Sequence, residues 1–297
     1  MRFFGSIPAV LTPFDEHQAL DLVAFRALLA QLIAQGSDAL VIAGSTGESG
    51  ALDETEYSAL LATALDVADG RVPVIAGASA PATHKAVALA ERARALGVQA
   101  ILAATPYYSR PTQAGLEAHY RALADGAGLP VIVYNVPGRT GVDLRPDTVA
   151  RLLDHPLIVG VKEAVPDPAR MAEYLALRRP GFAVLSGDDG SALASALAGA
   201  DGVISVAANV VPAAFAAMMR AAREGRVEQA RDWDRRLQPV IDALGVEPNP
   251  IPVKYALART GLIRNQLRLP LLPISAAAQR VVDHALDQFQ ATAALAA

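Results

Sequence analysis

The sequence predicts an α/β protein, a (β/α)₈ barrel followed by an appended helical subdomain at the C-terminal end. Its 297 residues suit one large barrel or two ordinary domains. Short apolar runs alternate with amphipathic stretches and recur about every 20 to 33 residues, the length of a βα unit. No glycine-rich dinucleotide fingerprint follows the first run. That absence disfavours the alternative of a doubly wound open sheet, which periodicity alone does not separate from a barrel.

Eight short runs of apolar and β-branched residues are predicted as the strands of this barrel. They are Ile7–Leu11, Ala39–Ala43, Val72–Ala76, Ala100–Ala104, Val131–Asn135, Ile158–Lys162, Ala183–Ser186 and Gly202–Val206.

Several of the intervening helices have recognisable ends. Leu22–Ala34 carries apolar residues at helical spacing and is followed by a glycine typical of a C-cap. Asp53 is expected to cap the next helix, and Glu56 three residues later completes a capping box. Thr83 is predicted to open a further helix, and Pro146 fits the first turn of another.

From about residue 226 the chain is predicted to be helical, over Arg226–Leu244, Lys254–Thr260 and Ser275–Thr292. We therefore divide the chain into a barrel that carries the active site, residues 1–225, and a C-terminal helical subdomain, residues 226–297. Such an addition could cover a barrel face or build a subunit contact.

Composition excludes several classes of protein. The chain has no cysteine, so it has no disulfide, thiolate nucleophile or thiolate metal site. Its five histidines lack HExxH-type spacing, so we predict no metal site. A net charge of −4 offers no basic footprint for nucleic acid. The first residues lack the apolar run of a signal peptide, and the most apolar stretch, residues 192–219, is broken by polar residues and proline. These features predict a soluble cytoplasmic protein with no nucleic-acid or membrane partner.

Lysine is unusually rare in this chain. Only Lys85, Lys162 and Lys254 occur, and arginine supplies the remaining positive charge. Lys162 stands inside an apolar, β-branched run that is predicted to be a buried strand. A buried lysine can lose its proton, whereas arginine cannot, and a neutral amine attacks carbonyl carbons. The structural alternative is a lysine at a strand end that reaches water or pairs with a carboxylate.

Polar segments follow most of the other predicted strands. In a barrel, catalytic groups come from the C-terminal ends of strands and the loops after them. Taken singly, each group has a simpler role; Asp188 and Asp189, for example, are most simply N-caps of the seventh helix. Their joint placement at strand ends favours a single site. The segments are Gly44–Ser49, Thr105–Pro111, Tyr134–Thr140, Ser186–Asp189 and Gly202–Ser205.

The chemistry that uses this set is a lysine Schiff base on a 2-oxo acid. The imine withdraws electrons and makes the adjacent methyl acidic, which yields an enamine nucleophile. Tyr134 can pass protons through hydroxyls such as Ser45 and Tyr108. Thr46 and backbone amides can hold the carboxylate of the acid. Arg139 could clamp a second carboxylate on the incoming electrophile, because its fork gives bidentate contact.

With these segments in this order, the chain resembles the dihydrodipicolinate synthase/N-acetylneuraminate lyase family of pyruvate-dependent class I aldolases over essentially its full length. Within that family it most resembles the synthases that condense pyruvate with L-aspartate 4-semialdehyde on the way to diaminopimelate and lysine. Tyr134–Thr140 carries the arginine that binds the semialdehyde carboxylate in the synthases. Glu247–Lys254 matches a C-terminal segment typical of them.

The resemblance implies a role for each candidate residue. Lys162 is the Schiff-base lysine, Tyr134 the proton donor and acceptor, and Ser45 and Tyr108 complete the relay. Pyruvate and the semialdehyde are the partners, and the covalent Schiff base replaces any cofactor. The family fold is the (β/α)₈ barrel with C-terminal helices, usually a dimer of dimers, so a homotetramer is expected. The remaining assignments are Thr46, Ile204, Gly187 and Arg139 for substrate binding and Tyr107 for the tight-dimer contact.

Two positions depart from the synthase pattern. Synthases generally have two threonines after the glycine, whereas Ser45 stands first here and lacks the methyl that restrains χ1. Ser109 replaces an asparagine that is usual in the synthases. Another 2-oxo acid aldolase or lyase of the same family is therefore the nearest alternative. A non-catalytic ligand-sensing barrel is a further alternative, although a sensor does not need the nucleophile.

A third departure concerns regulation by lysine. Family members that lysine inhibits carry ligand-binding polar groups after the Gly-Glu-Ser turn and an acidic residue early in the helix after strand three. Gly50, Glu54 and Tyr57 occupy the first region here, and Pro81 and Lys85 the second. Lys85 would place a cation where the ammonium of a lysine ligand needs a carboxylate. The sequence therefore predicts weak inhibition by lysine, or none.

Overall fold

Eight parallel strands close into a barrel in the computed structural model, which describes residues 3–294. The sheet runs from the first strand to the eighth and then back along the chain to the second. Just past the first strand, the backbone forms hydrogen bonds with the eighth strand and then with the second. The Ala9 N–H donates to the Ser205 carbonyl at 2.8 Å, and the Val10 N–H donates to the Val41 carbonyl at 2.9 Å. These bonds close the barrel, so the predicted (β/α)₈ fold is confirmed and the open sheet is excluded.

The strand bounds lie within a few residues of those predicted, and three strands match at both ends. The strands are β1 Gly5–Pro8, β2 Leu40–Ile42, β3 Val74–Gly77, β4 Ala100–Ala104, β5 Val131–Asn135, β6 Ile158–Glu163, β7 Ala183–Ser186 and β8 Gly202–Ser205.

The predicted helix signals also hold. The Glu56 N–H donates to Asp53 Oδ1 at 2.8 Å, and the Asp53 N–H donates to Glu56 Oε2 at 3.1 Å, so the capping box is formed. The helices are α1 Leu22–Ala34, α2 Glu54–Ala68, α3 Thr83–Leu96, α4 Gln113–Ala127, α5 Pro137–Thr140, α6 Pro146–Leu152, α7 Pro168–Leu175, α8 Ala192–Ala198, α9 Pro212–Arg223, α10 Val227–Leu244, α11 Ile251–Ala258 and α12 Ala276–Ala294.

The C-terminal helices pack on one another and on the barrel. Helix α10 contacts α9 and α12, and α11 contacts α12. Helix α11 begins at Ile251, three residues before the predicted start, because Pro252 fits the first turn, where no N–H donor is needed. The predicted division after residue 225 falls between the end of α9 and the start of α10. In the described part of the chain, no helix is long and apolar enough to cross a membrane.

Two apolar clusters lie on opposite faces of the barrel wall. Ile132 and Tyr134 of β5 belong to the inner cluster, whereas Val131 and Val133 belong to the outer one, which packs under the helices. Because successive strand residues point to opposite faces, this alternation decides which side chains enter the barrel. Burial of each large apolar side chain contributes about 1.5–3 kcal/mol. The same alternation on β6 turns Lys162 inward, in register with Tyr134.

A buried histidine makes the stability of this layer depend on pH. His119 on α4 is 4% exposed, and its Nδ1 lies 2.9 Å from the Thr83 hydroxyl at the start of α3. Its Nε2 has no hydrogen-bond partner among the described residues. Burial lowers the pKa of His119 from 6.5 to about 4. Folded His119 therefore stays neutral where the unfolded chain takes up a proton.

We expect His119 to make the folded protein less stable in mild acid. As pH falls from 6.5 to 4, the free energy of unfolding should decrease by about 3 kcal/mol through His119 alone. The measurement is urea unfolding of wild type and His119→Gln at pH 7 and pH 4.5. The stability lost between the two pH values should be smaller in the variant. The exposed His17→Gln is the matched control, and parallel losses in all three proteins would contradict the assignment.

Candidate active site

A cavity of about 160 Å³ lies at the C-terminal mouth of the barrel. It brings together six of the residues that the sequence assigns to the site. They are Ser45, Thr46, Tyr134, Arg139, Lys162 and Gly187. They come from four strand ends of the same barrel mouth, as the positions of polar segments in the sequence predict.

Lys162 projects into this cavity from β6 and is 6% exposed. Its Nζ lies 4.1 Å from the centroid of the Tyr134 ring, and the two residues are register partners on β6 and β5. Burial lowers the pKa of Lys162 to about 7, the Arg139 charge acts in the same direction, and the Asp189 carboxylate opposes both. A large share of the amine is therefore neutral near pH 7, as a nucleophile requires.

Gly187 leaves room for the lysine side chain. A Cβ atom at this position would lie 2.7 Å from Lys162 Cε and 3.0 Å from Lys162 Cγ. Both distances are shorter than an ordinary van der Waals contact, so any larger residue would displace the amine. The Gly187 N–H donates to the Glu163 carbonyl at 2.6 Å, and this bond connects the loop after β7 to the strand that carries the lysine.

Tyr134 holds its proton at neutral pH. It is 8% exposed, and burial raises the pKa of its phenol to about 12, although the charge of Arg139 opposes that shift. On the other face of the same two strands, Asn135 Nδ2 donates to Glu163 Oε2 at 2.9 Å. This bond cross-links β5 and β6 directly beside the pair that faces the cavity. Tyr134 thus places a protonated phenol side chain beside the amine.

The Ser45–Thr46 turn is contacted by a segment from the C-terminal helices. Asn249 Nδ2 donates to Thr46 Oγ1 at 3.0 Å, and Arg139 Nη2 donates to the Asn249 carbonyl at 3.1 Å. Asn249 Oδ1 is buried and has no partner among the described residues. The sequence pattern predicts no site role for Asn249. Its only signal was its place inside Glu247–Lys254, and a contact across 203 residues leaves no local pattern.

Asp189 is not a helix cap, so that interpretation of the sequence is wrong. Its Oδ2 accepts from the Val206 N–H at 3.0 Å and from the Ala207 N–H at 2.7 Å, which anchors the loop after β8. Asp188 does act near the start of α8, where its Oδ2 accepts from the Ser191 N–H at 2.8 Å. The structural role of Asp189 depends on the closeness of β7 and β8, which local capping rules do not contain.

Three candidates lie outside the cavity lining. Tyr108 is 95% exposed and has a φ of +71°, so the expectation that every polar strand end faces one mouth is wrong for this residue within one chain. A left-handed backbone is uncommon for a residue other than glycine. Tyr107 is 38% exposed and lines a neighbouring groove of about 480 Å³. Ile204 is fully buried in the inner cluster of the barrel.

The site contains no arrangement of side chains typical of a metal centre. Among residues 3–294, no group of three or more histidine, aspartate or glutamate side chains could hold a metal ion. The polar side chains that line the cavity offer an amine, a phenol, hydroxyls and a guanidinium.

Comparisons with known proteins identify relatives that match nearly the whole chain. The sequence model of the Dihydrodipicolinate synthetase family matches residues 2–289. A 4-hydroxy-tetrahydrodipicolinate synthase of Stenotrophomonas maltophilia K279a is 52% identical over 295 residues, which is 99% of each chain. The synthase of Thiobacillus denitrificans is 49% identical over 282 residues, 95% of each chain.

Solved structures agree with these sequence matches. The chloride-inhibited dihydrodipicolinate synthase of Acinetobacter baumannii, solved with pyruvate, has a TM-score of 0.95 at 41% identity and covers 97% of this chain and 99% of that one. The enzyme of Cyanidioschyzon merolae, solved with lysine bound, has a TM-score of 0.94 at 35% identity, covering 98% and 99%. A monomeric dihydrodipicolinate synthase variant has a TM-score of 0.95 at 39% identity, covering 97% of each chain.

Proposed function

The chain belongs to the dihydrodipicolinate synthetase family, and we propose that it is an enzyme, a lyase that acts as a 4-hydroxy-tetrahydrodipicolinate synthase. It condenses pyruvate with L-aspartate 4-semialdehyde in diaminopimelate and lysine biosynthesis. The observation that carries the proposal is the buried Lys162 amine, 4.1 Å from the Tyr134 ring centroid, in a cavity that Arg139 also lines. The substrates imply that the enzyme works in the cytoplasm.

The first stage makes a nucleophile from pyruvate. Neutral Lys162 attacks the C2 carbonyl carbon, and the carbinolamine loses water to give an imine. Tyr134 supplies protons to the departing oxygen, and Ser45 passes them onward. Thr46 and backbone amides of its turn hold the pyruvate carboxylate. Loss of a proton from C3 of the imine then gives the enamine.

The second stage joins the two substrates. The enamine carbon attacks the aldehyde carbon of the semialdehyde, and Tyr134 protonates the alkoxide that forms. Arg139 binds the semialdehyde carboxylate through its guanidinium fork. The amino group of the semialdehyde then attacks C2 and expels the Lys162 amine, which closes the ring and restores the enzyme. One water leaves during imine formation, and the covalent adduct on Lys162 makes a cofactor unnecessary.

The candidate tyrosines that lie outside the cavity agree with a role at a contact between subunits. Tyr107 and the strongly exposed Tyr108 lie on the loop after β4, outside the cavity of their own chain. In the proposed homotetramer, a dimer of dimers, Tyr107 lies at the tight-dimer contact and Tyr108 completes the proton relay. Ile204 and Gly187 complete the pyruvate pocket from β8 and the end of β7.

Borohydride reduction in the presence of pyruvate tests the proposal directly. Wild-type protein should gain the mass of a reduced pyruvyl group, and peptide mapping should place it on Lys162. Protein incubated with borohydride alone is the control. Absence of an adduct would favour the alternative of a ligand-sensing barrel without turnover. An adduct without condensation of the semialdehyde would favour another 2-oxo acid aldolase or lyase of the same family.

We expect L-lysine to inhibit this enzyme weakly or not at all. The groove next to the active site is lined by Gly50, Glu54 and Tyr57, and Lys85 is exposed on the following helix. Glu54 already pairs with Arg92, and Lys85 adds a cation that disfavours the ammonium groups of the ligand. The measurements are condensation activity against lysine concentration and lysine binding, with the Cyanidioschyzon merolae enzyme, solved with lysine bound, as the control for binding. Half-inhibition below millimolar lysine would contradict this expectation.

A further inference from the structure

A buried ion pair joins two sequence segments that the proposed chemistry does not use. Glu48 closes the turn that carries Ser45 and Thr46, and Lys254 lies on α11 of the C-terminal helices. Lys254 Nζ donates to Glu48 Oε1, and the two side chains are 0% and 1% exposed. The pair therefore connects the barrel mouth to the C-terminal helices without contact with water.

The surroundings satisfy the remaining polar atoms of this pair. Glu48 Oε2 accepts from the Arg268 backbone N–H at 3.0 Å, so both carboxylate oxygens are bound by C-terminal residues. Lys254 Nζ also lies 4.5 Å from the centroid of the Phe14 ring, within reach of a cation–π interaction. Burial lowers the pKa of Lys254, and the Glu48 carboxylate opposes that shift.

The backbone of Glu48 links this pair to the active-site turn. Glu48 adopts a left-handed conformation, with φ 54° and ψ 39°, which residues other than glycine adopt only when their surroundings hold them there. Its N–H donates to the Ser45 carbonyl at 3.1 Å, and the Ser49 N–H donates to the Gly44 carbonyl at 3.3 Å. The backbone of Glu48 thus links the geometry of the turn around Ser45 to the anchoring of the Glu48 side chain.

Buried ion pairs rarely stabilise a fold more than apolar residues of the same volume, because desolvation offsets their attraction. In some proteins their directional bonds instead select one arrangement of the groups around them. We propose that Glu48 and Lys254 are positioning residues that hold the Ser45–Thr46 turn in its catalytic geometry, so that the C-terminal helices complete the active site. This inference rests on the proposed function, because the experiment detects the geometry of the turn through the rate at which pyruvate and Lys162 form the imine.

The experiment separates positioning from stability with four variants. They are Glu48→Gln, Lys254→Met, the double variant, and Arg178→Met as a matched control. Arg178 pairs at 2.8 Å with Asp201, a carboxylate whose side chain is 3% exposed near the start of β8, at the opposite end of the barrel. For each protein we would measure the thermal midpoint and the rate of pyruvyl-adduct formation at limiting pyruvate, trapped with borohydride.

We expect each single variant at the pair to lower both the thermal midpoint and the rate. The double variant leaves no unpaired buried charge, so its midpoint should return close to that of wild type while its rate stays at least tenfold lower. Arg178→Met should lower the midpoint and keep a rate within twofold of wild type. If Lys254→Met does not fold, Glu48→Asp carries the test. It keeps the charge but shortens the reach, and it should slow the adduct by at least tenfold.

Each other outcome is decisive as well. A double variant that recovers both the midpoint and the rate would show that the pair acts only on stability. If the rate falls as far in Arg178→Met as in the Glu48 and Lys254 variants, the pair would likewise be shown to act only on stability. Equal rates in all folded proteins would overturn this inference and leave the proposed function intact. Absence of an adduct in wild type would overturn the proposed function, and this inference with it.

Discussion

Replacement of Lys162 by alanine should abolish the pyruvyl adduct and lower kcat by about 10⁴-fold or more, as the loss of a covalent nucleophile does in other enzymes. The reason is that no other described amine lines the cavity. Lys162→Met should have the same effect while it keeps the volume of the side chain, so that loss of packing is not the cause. The assays are condensation of pyruvate with the semialdehyde and borohydride trapping.

The exposed Lys85→Ala serves as the control for this prediction and should keep both the adduct and the activity. Retained labelling in Lys162→Ala would instead place the nucleophile on Lys85 or Lys254. The structure disfavours Lys254, because its amine is fully buried against Glu48.

The pH dependence of the adduct gives a second readout of the same residue. The attacking species is the neutral amine, and burial lowers the pKa of Lys162 to about 7. Below that pH the rate of adduct formation should fall about tenfold per pH unit, and above it the rate should level off. A break near the ordinary lysine value of 10.5 would show that Lys162 is not desolvated when it reacts.

Arg139→Ala should lower kcat/KM for L-aspartate 4-semialdehyde by about 10²-fold or more, a loss of about 3 kcal/mol of transition-state stabilisation. Arg139 is exposed at the rim of the cavity, where its guanidinium can make a bidentate contact with the carboxylate of the second substrate. The rate of adduct formation with pyruvate alone should change little, because the first substrate does not need this side chain.

Assays of this variant should be run above pH 8, since the charge of Arg139 also lowers the pKa of Lys162. An aldehyde of similar length without a carboxylate is the matched control substrate, and its kcat/KM should be the same in both proteins. An unchanged kcat/KM for the semialdehyde would refute the clamp. It would also favour another aldehyde as the natural second substrate.

The fold and the centre of the site follow closely from local patterns. Apolar runs and helix caps predicted the eight strands and the main helices because those signals lie within a few consecutive residues. The period of two along β5 and β6 turns Tyr134 and Lys162 to the same face. The rarity of lysine also indicated that Lys162 has a chemical role.

Other features of the site could not be predicted in this way. The same capping rule that places Asp53 correctly misplaces Asp189, whose carboxylate binds amides 17 and 18 residues further along the chain. The polar segment after β4 likewise predicted that Tyr108 faces the mouth of its own barrel, whereas its side chain is 95% exposed within one chain and its backbone is left-handed. A sequence pattern indicates that a loop is polar but does not contain the backbone angles that aim its side chains.

By itself, the sequence determined the order of strands and helices, and it predicted the nucleophile and the class of chemistry, because each depends on short-range periodicity or on intrinsic side-chain reactivity. Only the tertiary structure decided how the C-terminal segment meets the barrel mouth. The contacts of Asn249 with Thr46 and of Lys254 with Glu48 join residues more than 200 positions apart. Such pairs require a closed barrel with the C-terminal helices packed on it, so no local signal along the chain predicts them.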